Sequence, residues 1–319
     1  MDTRIAGVRE TLSLCAAVVL GTVLAPQIAF VGLPVAAAGI AGLTYRGRAA
    51  FAATAVVAGV VAVGVVRPSD ALFAVPALAA VVLTVWMLPK RSVQTVAGAL
   101  IAVLALASVG VDAFLARAAG STLPAMIAKE ADSLVAALKK SMGSSASADL
   151  LRQLHDAART IASAWPSAYF QSAVFVGVLV IAAVAWASSR TENALDVPPL
   201  SRLDLTPHVL WAFVGGLLLL ATSYGSFSAA GVLGIVGLNL VLCARTLFFL
   251  QGVSVSAGLL DRAGVGSGGR ILALAALTVL DALTLVISFT GLLDFWINFR
   301  RLPRDGAAPV ASEPSTRRW

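Results

Sequence analysis

The chain has 319 residues, 59% of them hydrophobic and only 12% charged, with a net charge of +7, two cysteines and a mean hydropathy of +0.92. A soluble globular domain carries about 25% charge, so this composition leaves no room for a large soluble enzyme domain and points to a helical membrane protein. The positive balance does not signal nucleic acid, because no Lys/Arg cluster is interleaved with aromatics; two cysteines, Cys15 and Cys243, are too few for a disulfide framework and lack metal-ligand spacing.

Apolar runs recur that are long enough to cross about 30 Å of hydrocarbon, and they are continuous rather than alternating. Only helices or closed barrels satisfy their backbone in lipid, so the expected fold is all-α: a polytopic transmembrane helical bundle of eight or nine membrane segments. Spans are predicted over 11–25, 28–44, 49–66, 71–88, 93–115, 168–188, 208–223, 230–250 and 271–293. The first pair is interrupted by Pro26-Gln27 and Pro34 and also reads as one crossing with a re-entrant piece. The segment 230–261 is too long for one crossing, with Gly252 as the expected bend. A single transmembrane domain is expected over 1–304, with a disordered polar tail over 305–319. The N-terminus is read as an uncleaved first span rather than a signal peptide, because Leu24-Ala25 precedes Pro26 and proline after the scissile bond blocks cleavage.

Arg46 and Arg48, Lys90 and Arg91, Arg190 and Arg202, and Arg300, Arg301 and Arg304 punctuate the spans. The positive-inside rule makes these ends cytoplasmic, which puts 116–167 outside. A cytoplasmic C-terminus then requires an even number of crossings after residue 202, whereas the spans count three. The 116–167 insert carries two amphipathic stripes: Ile127, Ala131, Leu134 and Leu138, then, after a turn at Gly143-Ser144-Ser145, Leu150, Leu154, Ala157, Ile161 and Trp165. Thr122 before Pro124 is the expected start of the first helix. Such a pair reads as a connecting hairpin, a lid over an outward cavity, or a pair lying in the membrane interface. His155 has no second ligand at helical spacing and reads as a surface residue.

Costly groups concentrate in the last ninety residues. A charge at the centre of a membrane helix costs roughly 2.5–3.5 kcal/mol on insertion scales, yet Arg245 and Asp281 both lie inside apolar runs. Thr278, Asp281, Thr284 and Ser288 fall within about a third of a helix circumference, and Asn239, Cys243 and Thr246 share a face of the preceding span, with Arg245 on its flank and Gln251 beyond. These residues form the candidate intramembrane polar site, with an Arg245–Asp281 pair expected from their similar depth. The competing reading is interhelical glue, each bond worth ~0.6 kcal/mol. Asp294, Arg300 and Arg301 are read as membrane-edge anchors at the end of the last span. Ala17, Gly21 and Ala25 place a small residue at every fourth position of the first span, a candidate helix-docking face; Ala55/Gly59 and Ala38/Gly42 repeat the spacing.

Gly264-Val265-Gly266-Ser267-Gly268-Gly269 matches a GxGxxG string but lies between membrane segments, without the strand a dinucleotide fold requires, and is read as a flexible loop. No Walker A sequence, nucleophile elbow, HExxH or CxxC pair appears, so neither catalysis nor a cofactor is expected.

Asn239, the run Phe248-Phe249-Leu250-Gln251-Gly252, then Gly291-Leu292-Leu293-Asp294 and Phe299-Arg300-Arg301 resemble the YybS-like family of bacterial polytopic membrane proteins, a domain of unknown function; Pro34 and Tyr45-Arg46-Gly47 are loosely similar to its N-terminal region. The resemblance implies a multi-pass protein of the bacterial inner membrane. More distantly it implies a likeness to the substrate-binding S-components of energy-coupling-factor transporters, which dock on a coupling subunit through small residues of the first span; Ala17, Gly21 and Ala25 match those positions. The expected partners are the lipid bilayer, a coupling subunit or other membrane protein, and a small-molecule solute, with no nucleic acid. A non-transporting membrane scaffold or assembly protein is the alternative.

Overall fold

The structure, a computed structural model, describes residues 2–142, 147–192, 194–223 and 230–302. The expected tail over 305–319 and the turn at Gly143-Ser144-Ser145 lie outside the described residues. Among the described residues the chain is helical throughout: α1 (Asp2–Leu24), α2 (Ala29–Thr44), α3 (Ala49–Val66), α4 (Pro68–Met87), α5 (Val93–Ala118), α6 (Leu123–Met142), α7 (Ala148–Ser163), α8 (Trp165–Ser188), α9 (His208–Thr222), α10 (Ala230–Arg262), α11 (Ser267–Thr284) and α12 (Val286–Ile297), with a single 3-10 turn at Leu200–Arg202. Seven helices are long and apolar enough to cross a membrane, and α2, α9 and α12 are shorter apolar helices. The contacts divide the span read as one domain, 1–304, into two compact units, Met1–Val197 and Pro198–Trp319.

In the first unit, α1 to α5 and α8 pack as an antiparallel bundle whose core includes Val18, Leu33, Leu78, Val81, Val180 and Val184. Apolar side chains gain little from hiding from lipid tails, so close backbone packing at small residues has to hold such helices together. A Cβ added at Gly21 would lie 2.4 Å from the Ala36 nitrogen, and one at Gly32 would lie 2.3 Å from the Ala25 nitrogen. The α1 and α2 backbones therefore touch, and Ala25 is fully buried between them. This corrects the docking-face expectation. Gly21 and Ala25 are covered by α2 of the same chain, with Ala17 half-buried beside them, and so are not open to a partner. Gly59 packs on the Thr22 side chain and Gly42 on that of Leu14. Pro34 sits inside α2 without breaking it.

The insert is a helical hairpin. Thr122 accepts from the Ala125 N–H at the start of α6 (3.4 Å), and Ser147 caps α7 by accepting from the Leu150 N–H.

The second unit departs most from expectation. The span read over 271–293 is two helices: α11 ends at Leu285, which takes a left-handed φ of +57°, and α12 begins at once. Such a conformation costs a non-glycine residue about 1–2 kcal/mol. Asp281 offsets the cost by capping the new helix, its Oδ1 accepting from the Ser288 N–H (2.8 Å) and its Oδ2 from the Ser288 hydroxyl (2.9 Å). α11 runs back along α10, since Arg270 pairs with Asp261 (2.5 Å) at one end and Arg245 approaches Asp281 (3.7 Å) at the other. α12 returns, and the Arg262 guanidinium donates to the carbonyls of Phe299 and Arg300. Residues 298–302 thus finish beside residues 200–204.

Gly252 does not bend its helix. α10 continues unbroken for 33 residues, about 50 Å. Gly252 instead lets α12 cross it: an added Cβ would lie 1.9 Å from the Ile287 carbonyl oxygen, and one at Gly291 would lie 1.9 Å from that of Phe248. Of the glycine string, Gly264 takes a left-handed turn (φ +70°) while Ser267, Gly268 and Gly269 form the first turn of α11, which corrects the loop expectation there.

Gly32→Ala is expected to lower stability by about 1–3 kcal/mol, the range for overpacking. Gly98→Ala, in open space on α5, should leave stability unchanged or raise it by up to about 1 kcal/mol, the helix-propensity gain. Thermal unfolding in detergent, followed by tryptophan fluorescence, separates the two.

Candidate functional site

Two places gather polar groups. The first is a cavity of about 440 Å³ in the first unit, where the end of α1, the starts of α2, α4 and α8, and the last turns of α5 meet. Asp70 lies in the first turn of α4, placed there by Pro68 at the helix start. Asp112 comes from α5 and Tyr169 from the first turns of α8, and the Tyr169 hydroxyl donates to the Asp112 carboxylate. Ser69, Ser108 and Ser172 add hydroxyls, while Ala25, Phe73, Val111, Leu115 and Ala168 supply apolar wall. Gln27 links the rim: its amide donates to Asp70 (2.7 Å) and its carbonyl oxygen accepts from Arg67 (3.0 Å). The cavity therefore offers two half-buried carboxylates, and no basic side chain lines it.

Sequence reasoning missed this site. Asp70 and Asp112 each sit near the end of an apolar run, where a carboxylate looks like a loop residue, and only the antiparallel packing of α4 and α5 brings them together. The lid expectation for the insert is not met, since the lining stops at Leu115 and Ala168 on either side of α6 and α7. The opposite end of the unit is basic, with a second cavity of about 580 Å³ lined by Glu10, Tyr45, Arg46, Gly47, Arg48, Arg190, Thr191 and Glu192. There Arg46 pairs with Glu10 (2.8 Å), Arg190 stacks on Trp186, and Tyr45, just beyond α2, donates to the Val85 carbonyl (2.7 Å) while burial pushes its phenol up to about 12.

The second place is a buried junction in the second unit. The Arg300 guanidinium, 2% exposed, donates to Asp294 (2.8 Å), which is fully buried, and to Asp204 (3.3 Å). It also donates to the carbonyls of Ser201 (3.1 Å) and Leu203 (2.5 Å) and to the Ser254 hydroxyl (2.6 Å). The Gln251 amide donates to both Asp204 (2.8 Å) and Asp294 (2.9 Å), and its oxygen accepts from the Leu205 N–H (3.1 Å). Left-handed turns at Asn298 and Arg301 on either side of Phe299-Arg300 aim the guanidinium inward. Arg300 Nε has no partner. This overturns the reading of Asp294 and Arg300 as membrane-edge anchors, because both are enclosed; Arg301 alone of the three is exposed.

The predicted intramembrane site is only partly assembled. Asp281 and Ser288 meet and Arg245 comes near, but at 3.7 Å this is a loose ion pair beside the 2.8–2.9 Å bonds of the cap. Thr278 and Thr284 are exposed and donate to Leu274 and Leu280 of their own helix; the stripe assumed one continuous helix, and the break at Leu285 ends it. Asn239 donates to Ile235 on its own helix, and Thr246 does the same to Leu242. Gln251 belongs to the Arg300 junction. Among the described residues, no three His, Cys, Asp or Glu side chains gather as metal ligands.

Arg300→Met, which strands two carboxylates at the junction, should destabilise the protein by about 3–5 kcal/mol, as removing one partner of a buried pair does. Arg301→Met should change it little. Adding Asp294→Asn to Arg300→Met should recover part of the loss; fully additive losses in a denaturation cycle would contradict the pairing.

A protein-family model described as "Predicted membrane protein (DUF2232)" matches residues 13–295, a stretch that contains both the cavity and all of the junction except its Arg300 end. No curated protein and no solved structure matches the chain. The chain belongs to this DUF2232 family of predicted membrane proteins, in keeping with the seven helices among its described residues that are long and apolar enough to cross a membrane.

Proposed function

We propose that the chain is a non-enzymatic solute-binding component of a transport system in the bacterial inner membrane, and that the cavity of the first unit is its binding site. The observation that carries this reading is the pairing of a cavity of about 440 Å³ with two carboxylates from different helices. Small-molecule sites have volumes of roughly 300–1,000 Å³ and combine mostly apolar walls with a few placed polar groups. A wall with Asp70, Asp112, three serines and no basic side chain fits a small amphipathic cation, such as an amine on a short apolar body. Ionisable residues of a membrane protein that face a cavity mark solute or ion paths.

Orientation supports uptake from outside. Arg46, Arg48, Lys90, Arg91 and Arg190 gather at the end opposite the cavity, so the positive-inside rule directs the cavity to the extracytoplasmic face. No nucleotide-binding motif is present, so energy for release inward comes from a partner subunit or an ion gradient. Because α2 covers Gly21 and Ala25, such a subunit docks elsewhere than on the small-residue face of α1. The YybS-like resemblance, and through it the distant likeness to S-components, points the same way. A scaffold role is the second reading. It is favoured by the second unit, where Asp281 bonds Ser288 and Gln251 and Arg300 both bond Asp204 and Asp294, so that these groups read as structural glue.

The test is binding of a dansyl-labelled alkylamine to the protein in lipid nanodiscs. The wild type should bind saturably and a neutral analogue of the same size should not. Asp112→Asn should weaken binding about tenfold, the equivalent of about 1.4 kcal/mol. Equal affinity for amine and neutral analogue, or no saturable binding, would overturn the reading.

A further inference from the structure

We propose that the α6–α7 hairpin lies flat on the bilayer, with its apolar face set into the boundary between headgroups and acyl chains. The pattern on α7 is the starting point. Leu150, Leu154, Ala157, Ala158 and Ile161 fall on one side of this helix, while Asp149, Arg152, His155, Asp156 and Arg159 fall on the other, yet α7 has no fully buried residue. α7 packs on α6, where Leu123 and Val135 are buried. Much of the apolar surface is still left open: Ile161 is 71% exposed and Leu150 40%, and on α6 Leu134 is 60% and Leu138 48% exposed. A helix with one strongly polar and one apolar face left uncovered is the form that lies in a membrane interface.

The covalent path determines what covers that face. α5 and α8 are both candidate membrane spans. Only residues 119–122 separate α5 from α6, and only Ala164 separates α7 from α8. The hairpin is thus held against the bilayer surface at both ends and has no linker on which to reach a distant partner. Trp165 and Tyr169 meet edge to face (5.9 Å between ring centroids) at the junction of α7 with α8. Amphipathic aromatics concentrate at the headgroup level, which places that junction at the edge of the membrane. Charge is not the driving force, because residues 119–163 carry five basic and four acidic side chains; zwitterionic lipid suffices. A hairpin lying flat also leaves the cavity mouth open, consistent with a cavity lining that ends at Leu115 and Ala168. The inference does not depend on what the cavity binds.

Single cysteines at Leu134 and Ile161 on the apolar face, and at Lys140 and Arg159 on the polar face, in a chain carrying Cys15→Ala and Cys243→Ala, test it. Each is labelled with an environment-sensitive nitrobenzoxadiazole and reconstituted into phosphatidylcholine vesicles, with and without lipid bearing a nitroxide near the headgroup. The labels at 134 and 161 should emit further to the blue and lose intensity to the nitroxide lipid, while those at 140 and 159 should do neither. Red-shifted emission from 134 and 161 would place the face in water. Blue-shifted emission that the nitroxide lipid leaves unquenched would place it against protein, such as a second copy. Either result overturns the proposal, and Leu150→Cys repeats the measurement if one labelled protein fails to fold.

Discussion

Backbone contact between helices at glycine is the constraint on which the rest of this protein depends. In hydrocarbon there is no solvent to drive apolar side chains together, so helices associate where their backbones can touch. Gly21 and Gly32 do this for α1 and α2, and Gly252 and Gly291 for α10 and α12. Each contact has a consequence for polar groups. The α1–α2 contact holds together the helix ends that form one wall of the cavity, where Ala25 and Pro26 line it. The α10–α12 contact brings Asp294 against Gln251 and so encloses the Arg300 guanidinium.

The two polar places differ in kind. At the Arg300 junction, donors and acceptors satisfy one another apart from the Arg300 Nε, and Arg300, Asp294 and Gln251 have almost no accessible surface to offer. A buried charge cluster of this sort is weak evidence for net stability and better evidence for a fixed geometry; here it ties the chain after α12 to residues 201–204. In the cavity the reverse holds. Asp70 and Asp112 each accept from a side chain outside their own helix, Gln27 and Tyr169, and both are half-buried on the wall of an open volume. Carboxylates that face an open volume set this place apart from the packed junction.

How far the sequence foretold this depends on range. Helix positions were legible because apolar runs of span length declare themselves, and α2, α3, α5, α8 and α9 fall close to the expected bounds. The Arg245–Asp281 approach was legible as two costly charges at similar depth. The break at Leu285 was not, because no proline or glycine marks it; the left-handed residue is a leucine, and the compensation comes from an aspartate four residues earlier. The terminal motif residues Gln251, Gly252, Gly291, Asp294 and Arg300 were recognisable as a family resemblance, while their convergence in one junction, joined by Asp204 and Ser254, depended on a hairpin that the apolar pattern concealed. Asp70 and Asp112 were illegible for a related reason, since forty-odd residues of chain separate two groups that only tertiary packing places on one cavity.

The central claim is that the first unit holds a water-filled cavity open to the extracytoplasmic face. Thiol accessibility of Ser172→Cys and Ser108→Cys, in a chain carrying Cys15→Ala and Cys243→Ala, tests it most directly, using a membrane-impermeant maleimide on intact cells and on inverted vesicles. The account predicts labelling of both positions from outside, with the half-buried position 108 slower than the exposed 172, and none from the inner face. Absence of labelling at both, or labelling only in inverted vesicles, would contradict it.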